Sequence, residues 1–232
     1  MPELFIMYEN ALKRFGLPEN PEIMGEADIA RYKNRIPETY LDFIRHAGLG
    51  IWKQGYFQFC NPEKYKSIVA LALGGDKQLN PVRTHALGFS AFGKILAWNE
   101  DYKTTEINIL LHRVTCRGLF KEIPAERSDI NLGIAVEGID AESFDAPDEK
   151  GKLMFNRLLK NLGKLQLGQI YSPKLHPSLG GQLTVENMRP VDALSAMTIA
   201  AQAGPFTLYD TTKPSTPAVR TIGSLEHHHH HH

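Results

Sequence analysis

The sequence predicts an α+β fold: a mixed, mainly antiparallel sheet packed by helices, with a more helical C-terminal domain. Three observations carry that expectation. In several segments apolar residues recur at three- and four-residue steps, the signature of a helix with one buried face. Elsewhere aromatic and β-branched residues cluster in short runs bounded by Gly, Asn or Pro, as strands and turns require. The strand-like runs sit together between helical ones instead of alternating with them, which argues against a doubly wound parallel sheet.

The elements follow in order. Residues 4–15 place Leu4, Met7, Tyr8, Ala11, Leu12 and Phe15 at helical steps, with Gly16 positioned to stop the helix. Pro37 opens a second helix, PETYLDFIRHAG, in which Tyr40, Leu41 and Ile44 share a face and Gly48 suits a left-handed C-terminal cap. The aromatic run IWKQGYFQF (51–59) reads as strand, and Asn61-Pro62-Glu63 as the cap and first turn of a helix reaching about Leu73. Two short strands follow in GFSAFGKILAW (88–98), with Phe92-Gly93 near the turn, and Ile107, Ile109 and Leu111 mark another. Beyond Cys116 the composition shifts toward helix, first around PAERSDINLGIAV (124–136). The next helix is expected from about Glu149 to Leu162, carrying Leu153, Phe155, Leu158, Leu159 and Leu162, with Gly163 as its stop. Residues 166–187 are broken by Gly and Pro and predict a long but ordered loop holding a short strand. VDALSAMTIAAQAG (191–204) then reads as helix and FTLYD (206–210) as a last strand. From Thr211 the chain is rich in Pro and Thr with few apolar anchors, predicting a loose tail. The expected division is a first domain over 1–115, a second over 116–212, a tail over 213–224 and an expression tag over 225–232.

Setting that tag aside leaves four histidines and 26 basic against 25 acidic side chains. This balance argues against a sequence-independent nucleic-acid binder, which needs a basic surplus to displace counterions from phosphates. No apolar run approaches the ~18 residues that span a bilayer, and the opening MPELFIMYEN lacks the cationic and apolar parts of a signal peptide. The expectation is a cytoplasmic protein, with Cys60 and Cys116 as free thiols.

The search for chemistry starts with GFSAFGKI (88–95), which matches a phosphate-binding loop except at its last position. There Ile95 stands where a Ser or Thr hydroxyl must hold Mg²⁺, and an aliphatic side chain cannot ligate a hard cation. A hairpin turn is the expected structure. The native histidines, His46, His85, His112 and His176, form no metalloprotease pattern, and the pair His112 and Cys116 lacks the further ligands of a tetrahedral zinc site. Ser178 lies two residues after His176, a spacing at which nucleophile and base rarely face each other, and no G-x-S-x-G elbow is present. The triplets DYK (101–103) and DEK (148–150) lack partner carboxylates for two-metal chemistry. No catalytic, metal or cofactor residue is therefore assigned, and no cofactor is expected. One stretch stands apart: EGIDAESFDAPDE (137–149) carries Glu137, Asp140, Glu142, Asp145, Asp148 and Glu149 with no Lys or Arg. It reads either as a solvated loop whose last acids favour the following helix N-terminus, or as a docking surface for a basic partner.

Two longer motifs carry a family resemblance. IPETYLDFIRHAGLGIW (36–52) followed by AFGKILAWN (91–99) resembles the GAD-like domain, with its helix, Gly-rich turn and paired strands in this order. Residues 154–204, with a helix ending in L-G, then G-x-I-Y, L-G-G and E-N before the last helix, resemble the C-terminal domain of Tdi-type immunity proteins of type VI secretion systems. KLHP at 174–177 departs from the more apolar run of that pattern. The resemblance implies a cytosolic immunity protein that binds a cognate secreted toxin, typically a DNase, and neutralises it stoichiometrically. It also implies that AFG joins two strands, so that Gly88 and Gly93 serve turns. Two other readings stay open from the residues alone, a metal- or nucleotide-dependent enzyme and a general adaptor scaffold.

Overall fold

A computed structural model describes residues 3–223; the tag expected at 225–232 lies outside the described residues. The chain runs α1 (Ile6–Phe15), β1 (Glu19–Glu22), α2 (Glu26–Arg31), α3 (Glu38–Ala47), β2 (Leu49–Trp52), β3 (Phe57–Phe59), α4 (Lys66–Leu73), β4 (Thr84–Ser90), β5 (Lys94–Asn99), β6 (Lys103–Asn108) and β7 (Arg113–Thr115). It continues through α5 (Ser128–Glu137), α6 (Phe155–Leu162), β8 (Gln169–Pro173), β9 (Met188–Asp192), α7 (Ala193–Ala201), β10 (Thr207–Tyr209) and β11 (Ala218–Thr221). Nine strands form one sheet in the order β1-β2-β3-β4-β5-β6-β7-β10-β11, and β8 and β9 form a separate antiparallel pair. Among the described residues the β7–β10 pair is the only parallel one in the large sheet. The fold is α+β. Among the described residues after 116 lie three α-helices and four strands, so the more helical second half that the sequence predicts is met only loosely.

The period of two along β5 shows why the sheet needs helices on both sides. Leu96 and Trp98 join one core with Tyr8, Phe43, Trp52 and Phe59, whereas Ile95 and Ala97 join the other with Ile68, Leu73, Ile107 and Met197. Helices α1, α3, α5 and α6 bury their apolar stripes in the first core, and α4 and α7 in the second. The first core is aromatic. Tyr8 stacks on Phe43 at 4.9 Å and Trp52 meets Phe59 edge-on at 4.7 Å, geometries worth about 0.5–1.5 kcal/mol per pair beyond area burial.

Several expectations change. The run 51–59 is two strands, not one, because Lys53 and Gln54 adopt left-handed conformations (φ 52° and 60°) that fold β3 back onto β2. Helix α6 starts at Phe155, six residues later than expected, because the Asp145 and Asp148 carboxylates bind backbone N–H groups and hold the preceding residues in turns. Asn61 does cap the turn before α4, accepting from the Glu63 N–H at 3.1 Å.

The largest correction concerns the tail. Residues 218–221 form β11, an edge strand, instead of a loose end. Its anchor is polar: Arg220 and Asp76 are both buried and joined by two hydrogen bonds of 2.5 and 3.0 Å. Ile222 closes over the second core. A composition-based reading sees few apolar anchors here and has no means of locating the buried carboxylate 144 residues away.

Candidate partner-binding surface

The acidic stretch runs from the end of α5 to the turns before α6, and its six carboxylates have two different fates. Three are structural. Asp145 is half-buried and accepts from the N–H groups of Ala146 and Phe155 at 2.7 and 3.0 Å, so it caps α6 from ten residues upstream. Burial raises its carboxyl above the usual range despite these bonds. Asp148 accepts from the N–H groups of Lys150 and Lys152, both at 2.9 Å, and from Arg157 at 2.9 Å. The Lys152 N–H and the Arg157 guanidinium hold its carboxyl below the usual range. Asp140 pairs with Arg14 of α1 at 2.5 Å.

The other three form no ion pair among the described residues, with Glu137 half-buried and the other two facing outward. Glu142 and Glu149 are exposed and have no side-chain partner among the described residues. Glu137 accepts one long bond from Asn10, at 3.4 Å. Beneath them the loop is rigidly held: Phe144 is buried edge-on against Phe57, and Tyr56 donates to the Ala141 carbonyl at 2.5 Å. Lys94, the lysine of GFSAFGKI, also serves this loop. Its ammonium pairs with Glu106 at 2.9 Å, donates to the Ser143 carbonyl at 2.9 Å and lies 4.8 Å from the Phe144 ring centre. The motif is the β4–β5 hairpin. Gly93 takes the left-handed turn position (φ 79°), but Gly88 sits in β4 at a bulge that leaves Leu87 without a partner on β5, not in a turn. A Cβ on Gly88 would meet the Gln58 carbonyl at 2.5 Å.

The remaining candidates for chemistry are engaged elsewhere. His46 is exposed on α3, and His85 contacts Glu100 at 2.8 Å. Asp101 forms a forked pair with Arg83 at 2.8 and 2.9 Å. Cys116 points into the second core, where it accepts from the Thr105 hydroxyl, and burial pushes its thiol up to about 11. His112 turns away from it to stack on His176, ring centres 4.6 Å apart. Contrary to the sequence argument, Ser178 does face His176, with Oγ 2.7 Å from Nδ1. Nδ1 also accepts the Ser178 N–H at 3.1 Å, making the ring a local cap, and Nε2 donates to the Ile109 carbonyl at 3.3 Å, where a triad would orient the ring with a carboxylate. Among the described residues no group of three or more His, Cys, Asp or Glu side chains is arranged to hold a metal.

A second surface was not visible in the sequence reading. The loop after β8, the strand β9 and one face of α7 enclose a groove of about 250 Å³. Leu175, Leu179 and Ile199 line it while remaining 48%, 57% and 66% exposed. Pro173, Val191 and Ala196 complete its apolar wall, with Lys174 and Arg189 also lining it. The available signal was α7 itself: ALSAMTIAA is apolar on every side, and a helix of that kind is either wholly buried or presents an apolar face to something else.

Residues 6–111 match the GAD-like domain, and residues 136–203 match the C-terminal domain of the T6SS immunity protein Tdi1. The chain is thus similar to a GAD-like domain over its first half and to the C-terminal domain of Tdi1 over its second. No curated protein matches it. The second match contains both surfaces just described, from Glu137 through the groove. The match supports a type VI secretion immunity protein and suggests a non-enzymatic role. The two matched regions are also joined physically. Gln58 donates to the Gln169 carbonyl at 2.8 Å and accepts from the Gly168 N–H at 2.8 Å, and Tyr171 donates its N–H to Ala91 at 2.7 Å. Among the described residues no helix is long and apolar enough to cross a membrane.

Proposed function

We propose that this protein is a cytoplasmic immunity protein that binds and neutralises a cognate type VI secretion toxin, a DNase, in a one-to-one complex and without a cofactor. The observation that carries the reading is the Tdi1-type match over residues 136–203. In this reading the unit 1–115 is a scaffold for the recognition surface of 116–212. The acid-rich loop supplies long-range attraction. A DNase must present cations to phosphate, and an opposing acidic ledge exploits that field to raise the association rate ~10-fold to ~10³-fold, less so as salt rises. Stability of the complex must come from an apolar anchor, because exposed ion pairs contribute about 1 kcal/mol or less each.

The test begins with co-expression beside the neighbouring toxin gene, where wild-type protein should restore growth and block DNA cleavage by purified toxin at equimolar ratio. Growth arrest that persists despite soluble protein would refute the reading. The charge contribution is tested by changing Glu137, Glu142 and Glu149 to Gln together. Asp140, Asp145 and Asp148 stay intact because they hold the loop and α6 in place. Association should slow about tenfold at low salt and little at high salt, with unchanged melting. Unchanged association at low salt would return the stretch to a solvated loop.

A further inference from the structure

We propose that the groove between the loop after β8 and helix α7 is the anchor site for the toxin, receiving an aliphatic or aromatic side chain from a segment that also carries a carboxylate. This rests on the immunity reading above.

Three features point to that occupant. The first is apolar exposure in one place: Leu175, Leu179 and Ile199, each about half or more accessible, converge on a single concavity. Scattered exposed aliphatics need no explanation, but convergent ones mark interaction sites. The second is size. About 250 Å³ lies below the ~300–1,000 Å³ of typical small-molecule sites and suits a protruding side chain better than a free metabolite.

The third is charge. Lys174 and Arg189 line the groove, both exposed and with no acidic partner among the described residues. The one carboxylate lining it, Asp192, is occupied by the Ser195 N–H at 2.9 Å as the cap of α7. The rim therefore offers two uncommitted cations and complements a segment that carries negative charge beside its apolar residue. The wall is also pre-formed. His176 is pinned between His112, Ser178 and the Ile109 carbonyl, which fixes the loop that carries Leu175 and Leu179 before any partner arrives. The acidic ledge and this cationic, apolar groove thus have opposite preferences, and a partner engaging both is held in one orientation.

The experiment measures binding of the catalytically inactivated neighbouring toxin by surface plasmon resonance. Wild-type protein is measured first: no binding there overturns the immunity reading itself. Given wild-type binding, Ile199→Glu and Leu179→Glu should each raise Kd at least ~30-fold, mainly through faster dissociation, with an unchanged melting temperature. Lys174→Glu with Arg189→Glu should weaken binding about tenfold. Wild-type affinity in both folded apolar variants would overturn the groove as the anchor, and tighter binding by the charge-reversed variant would overturn the acidic occupant. Size-exclusion chromatography gives the remaining outcome: a wild-type dimer that Ile199→Glu converts to monomer would show that the groove takes a second copy of this chain instead.

Discussion

Arg220→Met is the substitution that most directly tests how the C-terminal segment is held. Its guanidinium is 4% exposed and the Asp76 side chain fully buried, and the two share bonds of 2.5 and 3.0 Å while Arg220 also donates to Gln78 at 2.9 Å. Asp76 further accepts from the N–H groups of Leu79 and Gly223, at 2.9 and 2.7 Å. Burial alone would raise this carboxyl, but the bonds from Arg220 and the two N–H groups bring it below the usual range. Methionine keeps the apolar length of the side chain and removes the charge, leaving a buried carboxylate short of its main partner. Breaking a buried pair this way costs about 3–5 kcal/mol. The remaining N–H donors place Arg220→Met near the lower figure, about 3 kcal/mol or roughly a hundredfold in the unfolding constant. Adding Asp76→Leu removes the second charge and should recover part of the loss, but not all, since two N–H groups then lack an acceptor. Urea unfolding measures both, and hydrogen exchange across residues 207–222 locates the effect. The pH dependence follows from the depressed carboxyl: its contribution is fully present above the unfolded value of about 3.9 and is lost as pH falls through the folded one. An Arg220→Met protein within about 0.5 kcal/mol of wild type, the range of ordinary surface substitutions, would mean that the segment is the loose tail its composition suggests.

The other predictions concern the loop, the histidines and the hairpin. Gly181→Ala should destabilise more than Gly180→Ala, because a Cβ at 181 would lie 1.6 Å from the Leu175 carbonyl, whereas position 180 has open space and only an unfavourable φ of 95°; the latter strain is worth about 1–2 kcal/mol. Equal melting temperatures would refute that assignment. Burial lowers the pKa of both His85 and His176, so the unfolded chain takes up protons first, and stability should decline as pH drops below about 6.5 toward the folded values. Denaturant titrations between pH 7 and 5 should show the slope, and it should be shallower in His176→Gln. Lys94→Ala should cost about 1–2 kcal/mol by freeing Glu106 and the Ser143 carbonyl, and Mg²⁺ with ATP should leave the wild-type melting curve unmoved; a nucleotide-induced shift abolished by Lys94→Ala would revive the phosphate-loop reading.

The parts of the fold that sequence made legible are those set by local physics. The stripe of α1, the Pro and Gly that bracket α3, the Asn61 cap and the β4–β5 hairpin each depend on neighbours within a few residues. What it hid depends on distant partners. Strand β11 needs Asp76, β1 needs the edge of β2, and the Ser178–His176 contact needs His112 to hold the ring. Strand β4 begins at Thr84, four residues before the expected run, and buries two polar residues there: Thr84 is satisfied by Asn80 and Asn99, and His85 by Glu100. Polar residues enter a core when their partners are supplied from elsewhere in the chain, and a linear pattern does not show the partner.

The acidic stretch makes the same point about function. As a run of six carboxylates it looks like one charged patch, but the folded chain uses Asp140, Asp145 and Asp148 to build the ledge on which Glu137, Glu142 and Glu149 are displayed. Removing a cap carboxylate and neutralising a free rim charge both remove one negative charge, yet the first leaves a helix end without its acceptor while the second changes only the field met by an approaching partner. A mutational series that mixes the two would report lost binding for either reason. Separating them requires comparing the outward triple Gln variant with Asp145→Ala alone: the former should change association rate at constant stability, and the latter, which removes the acceptor of the Ala146 and Phe155 N–H groups, should lower stability first and binding only as a consequence. If Asp145→Ala left the melting temperature untouched and slowed association as much as the triple variant, the division of the stretch into scaffold and surface would be wrong, and all six acids would have to be treated as one docking patch.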